Sequence, residues 1–435
     1  HRDLHSFPTR RSSDLSLCDD ITVGYVGTMT TEYRSTGIPF FRSLNIETNR
    51  INENDIKYIS PAFNEKIKKS MLHPGDLVIV RTGKPGTCAI VPDKYPVSNC
   101  SDLVVVRAST RIDRRFLCYY INSVAVNHVN AHLVGAVQQH FNVASARTIR
   151  VVHPPLPTQK AIAHILGTLD DKIELLRSMN ETLEAMARAL FKSWFIDFDP
   201  VRKKAEGQPT GLPPEIDALF PDSFEDSELG EIPKGWTVGI LKDVVAQRIE
   251  RAEASVETAQ KPYLPIDCIT SNCLFLSDKK DGSDAQTSLT SFYIGDIVFG
   301  AMRPYFHKVC IAPFDGTTRT TAFVLHPIET YSYSFAVLTL HSDSTIEYAT
   351  THSTGTTIPY ASWKNSMDKM PMILPNKNIL KSFDAMIRPM LDEIRTSHFH
   401  YEVLTKARDS LLPRLISGEL ELSDSMIKEI LEPTK

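Results

Sequence analysis

Apolar residues follow two different rhythms along this chain. Between Thr158 and Phe195 they recur at alternating intervals of four and three, through Ile162, Leu166, Leu169, Ile173, Leu176, Leu183, Ala187, Leu190 and Trp194. A seam with a spacing of about 3.5 residues, sustained over about five heptads, predicts a long helix that pairs with another helix rather than a globular amphipathic stripe. Asn180 is the polar member of that seam. It lies either buried, where it costs stability and pins register, or exposed where the seam splays. A second helix is predicted from about Asn376 to Gly418, with Leu380, Phe383, Ile387, Met390, Ile394, Tyr401, Leu404, Leu411 and Leu415 in its stripe. Here His398 and Arg408 interrupt the seam, and Pro389 predicts a break or kink because it removes a backbone donor and crowds the preceding turn. Each stripe needs a partner, and pairing the two helices with each other satisfies both.

The other rhythm belongs to short apolar runs, and it repeats. Pro74-Gly75-Asp76-Leu77-Val78-Ile79-Val80, with Arg81 and then Cys88-Ala89-Ile90-Val91-Pro92, returns about 220 residues later as Ile294-Gly295-Asp296-Ile297-Val298-Phe299, with Arg303 and Cys310-Ile311-Ala312-Pro313. Each copy reads as a Gly-Asp turn, a strand, a basic loop and a second strand. An apolar segment ending in proline precedes each long helix: Val151-Val152-His153-Pro154-Pro155-Leu156-Pro157 and Met370-Pro371-Met372-Ile373-Leu374-Pro375. The chain is therefore a duplicated unit of strands followed by a helix. The opening HRDLHSFPTRRSSDL has neither periodicity, and residues 1–15 are expected to be a non-native leader outside the fold.

With 435 residues the chain exceeds one ordinary core. At 42% hydrophobic and 23% charged it has the balance of a globular protein. No run approaches the roughly 18 apolar residues of a membrane span, so a cytoplasmic, membrane-free protein is expected. Seven scattered cysteines without a CxxC pair read as reduced thiols; Cys268 and Cys273 are close but lack a companion pair at zinc spacing. The net charge of -4 argues against a uniformly basic nucleic-acid binder. Between Asp199 and Lys234, however, nine carboxylates face four cations, and the remainder of the chain is slightly basic.

Longer strings are more specific. Phe191-Lys192-Ser193-Trp194-Phe195, Asp197-Phe198-Asp199-Pro200-Val201, Leu219-Phe220-Pro221 and Ser227-Glu228-Leu229-Gly230-Glu231-Ile232-Pro233-Lys234-Gly235-Trp236, with Leu411-Leu412-Pro413-Arg414-Leu415-Ile416-Ser417-Gly418 near the end, resemble the conserved regions of type I restriction-modification specificity subunits. The resemblance runs from about Ile21 to Leu420. It implies an α+β chain in which two mixed α/β target-recognition domains are separated by two long conserved helices forming an antiparallel coiled coil. The segments are then 1–15 leader, 16–157 first recognition domain, 158–198 central helix, 199–234 acidic Pro-rich linker, 235–375 second recognition domain, 376–418 distal helix and 419–435 tail. The second domain opens with Gly235-Trp236 and Leu241-Lys242-Asp243-Val244, and no counterpart is evident before Leu17, so the first domain reads as truncated at its start.

The same resemblance implies a non-catalytic subunit that binds double-stranded DNA, each domain reading one half of a bipartite site and the helices setting the spacer. It would recruit two modification (methyltransferase) subunits and the restriction (motor-nuclease) subunits. S-adenosylmethionine, ATP and Mg²⁺ would sit on those partners, with no cofactor or metal on this chain. Base edges and phosphates are read mostly from loops bearing Arg, Lys and small polar residues. Arg81 and Lys84 lie between the two strands of the first hairpin, in a loop with Gly83 and Gly86 that allows close backbone approach; Arg303, Tyr305, His307 and Lys308 occupy the second, and Arg319 lies in a Thr-rich loop. Each cation is either a DNA contact or a solvated surface charge. Tyr305 and Phe306 either meet a base or pack under their loop. Arg34, Arg42 and Lys364 are weaker candidates. No GxxxxGK[ST] loop, HExxH or methyltransferase Pro-Pro-aromatic signature occurs, His153-Pro154-Pro155-Leu156 lacking the polar and aromatic ends. Two alternatives stand beside this reading: a DNA methyltransferase with fused recognition domains, and a coiled-coil adaptor without DNA binding.

Overall fold

The computed structural model describes residues 11–124, 141–253, 255–286 and 288–432. The chain divides into two compact units, residues 1–172 with 404–435, and residues 173–403.

The first unit is built on a four-stranded antiparallel sheet in the order Cys88–Ile90, Leu77–Val80, Leu103–Ala108, Cys18–Val23. Leu77–Val80 is buried at every position, as expected of a strand covered on both faces. Helix Arg114–Ser123 covers one face with Phe116 and Leu117, where Leu166 and Leu415 of the long helices join the same core. A five-stranded mixed sheet completes the unit, with Ser98–Cys100 parallel to Ile38–Phe41.

The second unit repeats the four-stranded sheet: Val309–Ile311, Ile297–Gly300, Ala322–Pro327, Val245–Arg248. The register repeats as well. Val106 lies between Ile21 and Leu77, and Leu325 lies between Gln247 and Ile297.

The Gly-Asp turn leading into each sheet serves the fold. Gly75 (φ 91°) and Gly295 (φ 87°) adopt a left-handed backbone that a side chain would strain. Asp76 is 8% exposed and Asp296 4%. Each closes its turn by accepting a backbone amide three residues back, from His73 at 3.0 Å and Tyr293 at 2.8 Å. Arg248 grips Asp296 with two hydrogen bonds, 2.8 and 3.1 Å long.

The opening strand missing from the sequence reading is present. Arg11–Asp14 pairs antiparallel with Arg150–His153, as Thr237–Ile240 pairs with Pro371–Leu374. A 3-10 turn follows in each copy, Leu15–Leu17 and Leu241–Asp243, and Leu15 and Leu241 are both buried. Residues 11–15, set aside with the leader, are thus part of the first unit's fold; residues 1–10 lie outside the described residues. The strand escaped notice because Arg-Ser-Ser-Asp has no apolar member to mark a period.

The long helices are Leu156–Phe195 and Lys377–Ser417. They pair antiparallel: Asp170 meets Arg408 in the first unit, and in the second Arg177 meets Tyr401, Asn180 meets Ser397 and Phe195 meets Phe383. In the first helix Leu166, Ile173, Asn180, Ala187 and Trp194, one per heptad, are fully buried. The choice left open for Asn180 resolves to the buried one, its Oδ1 accepting Ser397 Oγ at 2.9 Å. Pro389 does not break the distal helix. It faces solvent, as does Ala385, whose carbonyl loses its helical donor there, so water can satisfy that carbonyl.

Residues after the first helix form short helices Asp199–Ala205 and Pro214–Asp217 and a hairpin of Phe224–Ser227 with Gly230–Pro233. Trp194 packs on Phe220 at 4.9 Å, Phe195 on Phe335 at 4.9 Å and Phe198 on Trp236 at 5.7 Å. The longest family-like string therefore encodes an aromatic core.

Asp296→Ala strips acceptors from Arg248 and the Tyr293 amide in a buried site, and is expected to cost about 3 kcal/mol. The measurement is urea unfolding of the second unit, and a midpoint unchanged from the parent contradicts the role given to the turn.

Candidate nucleic-acid interface

The two basic hairpin loops are equivalent in backbone terms, which defines their correspondence better than residue type does. In the first unit Val80 N donates to Thr87 O at 2.8 Å and Phe141 N to Arg81 O at 3.0 Å. In the second, Gly300 N donates to Lys308 O at 2.8 Å and Ala361 N to Ala301 O at 2.9 Å. Arg81 thus corresponds to Ala301, and Arg303 stands where the first loop has Gly83. His307 stands where it has Gly86. The two glycines have φ of 86° and 89°, and Arg303 and His307 are driven to 52° and 51°. A left-handed conformation costs a residue with a side chain about 1–2 kcal/mol, so the second loop holds strain that the first avoids.

Arg81 is occupied inside its own unit: its guanidinium pairs with Asp102 and donates to Phe141 O at 3.1 Å. Lys84 is exposed at the tip between the two glycines. Arg34 and Arg42 bond to their own turns, Arg42 also pairing with Asp55 at 2.8 Å. Of the cations proposed in the first unit, Arg34 and Lys84 are exposed, Arg34 being bonded to the carbonyls of Thr31 and Tyr33.

The second unit brings Arg303, Tyr305, His307, Lys308 and Arg319 to one region. Lys308 is tied down, its Nζ donating to Ile266 O at 2.8 Å. His307 Nε2 is 2.9 Å from His341 O and its ring lies 4.6 Å from that of His341, while Asp343 Oδ1 stands 3.7 Å from Nδ1. Arg303 N donates to Pro359 O at 2.7 Å, and its Nε is buried without a hydrogen-bond partner among the described residues. Tyr305 and Phe306 are 49% and 45% exposed, so they do not pack under the loop. Arg319 is exposed at the end of strand Gly316–Arg319. That end is joined to the loop because Thr321 O accepts from Ala301 N at 2.9 Å and Met302 N at 3.2 Å.

Two features of this face escaped the sequence reading. One is the turn around Gly355 (φ 92°), which pairs Thr354 with Tyr360, presents Ile358 to solvent and directs Tyr360 Oη onto Thr320 O at 2.6 Å. Its run Ser-Thr-Gly-Thr-Thr before Ile358-Pro359 is turn composition and was a usable signal. The other lies beneath the loop and had no signal. Glu184 of the central helix, 2% exposed, accepts Leu274 N at 2.9 Å and sits 3.3 Å from Arg188 and 3.6 Å from His341 Nε2. That separation is too long for a hydrogen bond, so burial dominates and pushes His341 down to about 3, helped by His307 and Arg188.

All seven cysteines are free thiols. Burial pushes Cys268 up to about 11, with Asp278 adding to the shift, and Cys273 up to about 12, with Glu184 adding to it. Neither is a thiolate at neutral pH. Among the described residues no three His, Cys, Asp or Glu side chains are placed to hold a metal, and no helix is long and apolar enough to cross a membrane.

Residues 29–185 match the family described as type I restriction modification DNA specificity domain. The type I restriction enzyme MjaIX specificity subunit of Methanocaldococcus jannaschii is 28% identical over 306 residues, 67% of this chain and 65% of that protein. The HindI specificity subunit of Haemophilus influenzae is 26% identical over 330 residues, 64% of this chain and 70% of that one. This chain is similar to type I restriction-modification specificity subunits. The alignments thus span about two thirds of each curated relative. The fold agrees over a wider range: the S subunit of M. genitalium superimposes with a TM-score of 0.58 at 13% identity, covering 95% of this chain and 97% of that one. The matched 29–185 contains the Lys84 loop and most of the first long helix, Leu156–Phe195.

His341 must stay neutral in the folded state, whereas an unfolded histidine takes a proton near 6.5. Its contribution to stability is complete above about 6.5 and is lost as pH falls from there towards about 3. His341→Phe should therefore flatten the stability profile of the second unit between pH 7 and pH 5, measured by urea unfolding at each pH. A profile identical to the parent's excludes this cause.

Proposed function

We propose that this chain is the sequence-reading, non-catalytic subunit of a type I restriction-modification complex, each unit reading one half of a bipartite duplex site. The observation that carries this reading is the duplicated sheet with an equivalent loop in each copy, tipped by Lys84 in one and by Tyr305 and Phe306 in the other. A catalyst would need a convergent set of titratable groups; duplicated loops of exposed cations and aromatics suit recognition.

The helix pair supplies the spacer. At 1.5 Å per residue the 40-residue helix Leu156–Phe195 extends roughly 60 Å, the length scale of a split site on duplex DNA. Two modification subunits and the restriction subunits are the partners, carrying S-adenosylmethionine, ATP and Mg²⁺, and the assembly works in the cytoplasm. With a net charge of -4 on this chain, part of the phosphate contact falls to those partners. Of the seven proposed contact residues, Lys84, Tyr305 and Arg319 face solvent and are assigned to DNA; Arg303 borders the same face. Arg81, His307 and Lys308 hold their loops in shape.

Exchanging residues 16–157 or 235–375 for the matching segment of a related subunit, then mapping methylated adenines across a host genome, tests this directly. One half of the methylated site is expected to change with each exchange while the other half and the spacer persist. Half-sites that stay constant through both exchanges place recognition elsewhere.

A further inference from the structure

The equivalent loops differ in one respect that their backbones do not require. Between its two left-handed corners the first loop carries Lys84 and Pro85, and the second, one residue longer, carries Pro304, Tyr305 and Phe306. The Tyr305 and Phe306 rings stand 4.9 Å apart, tilted by 56°, each about half exposed. Exposing two adjacent large aromatics forfeits burial of the kind that Phe299 and Phe323 obtain in the sheet of the same unit.

Nor is the pair a frayed tip. Its corners are non-glycine residues held left-handed. Pro359 O takes Arg303 N at 2.7 Å, His341 O lies 2.9 Å from His307 Nε2, and Lys308 reaches Ile266 O. A loop that pins three of its residues and strains two of them presents its aromatics in a preset direction. Arg319 is exposed at the strand end whose Thr321 O bonds the base of the loop, and the buried Nε of Arg303 lacks a hydrogen-bond partner among the described residues. Exposed aromatic rings on a held loop, with an exposed arginine on the adjoining strand end, suit a base stack between phosphates: rings to replace a stacking partner, a cation to hold the backbone.

We propose that Tyr305 and Phe306 form a wedge that enters one base step of the half-site read by the second unit, unstacking it, while the Lys84 loop of the first unit lies against DNA without insertion. This rests on the DNA-reading function proposed above. The consequence is a difference in how the halves are specified. A wedge favours steps that unstack easily, pyrimidine–purine steps above all, so the second half-site is selected partly by deformability. The first loop, with glycine corners and a lysine tip, selects nothing by that route.

The test uses the full chain assembled with its modification subunits and duplexes carrying the methylated bipartite site, with 2-aminopurine placed in turn at each position of the second half. Binding is expected to raise fluorescence at one step. In Tyr305→Ala/Phe306→Ala that rise should vanish and affinity fall between about fivefold and a hundredfold, the range of aromatic–base stacking. Tyr305→Phe should keep both, and both variants should retain the parent's circular dichroism, since the rings lie outside the core. Retention of the rise in the double variant overturns insertion whatever the affinity does. Specific binding by the parent with no unstacked step overturns the wedge and leaves the DNA-reading function standing. Absence of any specific binding by the parent overturns both.

Discussion

Neither long helix can bury its apolar stripe alone, and that constraint governs the molecule. An isolated helix of this length gains little from propensity; its stability comes from the face it covers. The antiparallel pairing supplies that face from Asp170–Arg408 through Asn180–Ser397 to Phe195–Phe383, with one fully buried residue per heptad on the first helix. Each unit then packs its sheet against a different stretch of the pair. Leu166 and Leu415 enter the core of the first unit, and Ala187, Trp194, Phe383 and Ile387 that of the second. Each unit's own core thus includes residues of both long helices.

On this frame the duplication preserved backbone geometry and let chemistry diverge. Sheet order, register and the Gly-Asp turn are the same in both copies because they are fixed by main-chain hydrogen bonds and by a buried carboxylate that closes the turn. At the loop only two left-handed corners and a few amide–carbonyl bonds are conserved between the copies. Glycine meets that requirement without strain in the first copy. Arginine and histidine meet it in the second only because Pro359, His341 and Ile266 tie the loop from behind. Strain of this kind persists where the surrounding structure over-determines it.

The polar interior beneath the second loop is part of the same support. Glu184 satisfies one amide of the chain passing beside it, and His341 is held neutral by burial. Helix, loop and sheet of the second unit thus meet at groups whose removal would leave buried partners unsatisfied, which is why the loop does not relax.

The helices, the duplication and the kinship were legible in the sequence because each rests on a local or periodic signal: the 3.5-residue seam, the repeated Gly-Asp hairpin, and the aromatic strings from Phe191 to Trp236. The first unit's opening strand was not, since Arg11–Asp14 has no apolar residue and is defined by its hydrogen bonds to Arg150–His153. Pro389 misled because a lost donor matters only where the orphaned carbonyl is buried, and burial is a property of the packed helix. Among the candidate contacts the sequence supplied residue types and tertiary structure sorted them. Arg81 and Lys308 are spent on a carboxylate and a carbonyl distant in sequence, Asp102 and Ile266, whereas Lys84, Tyr305 and Arg319 are left to solvent. A side chain's availability depends on partners that only the fold brings within reach, and no local pattern encodes them.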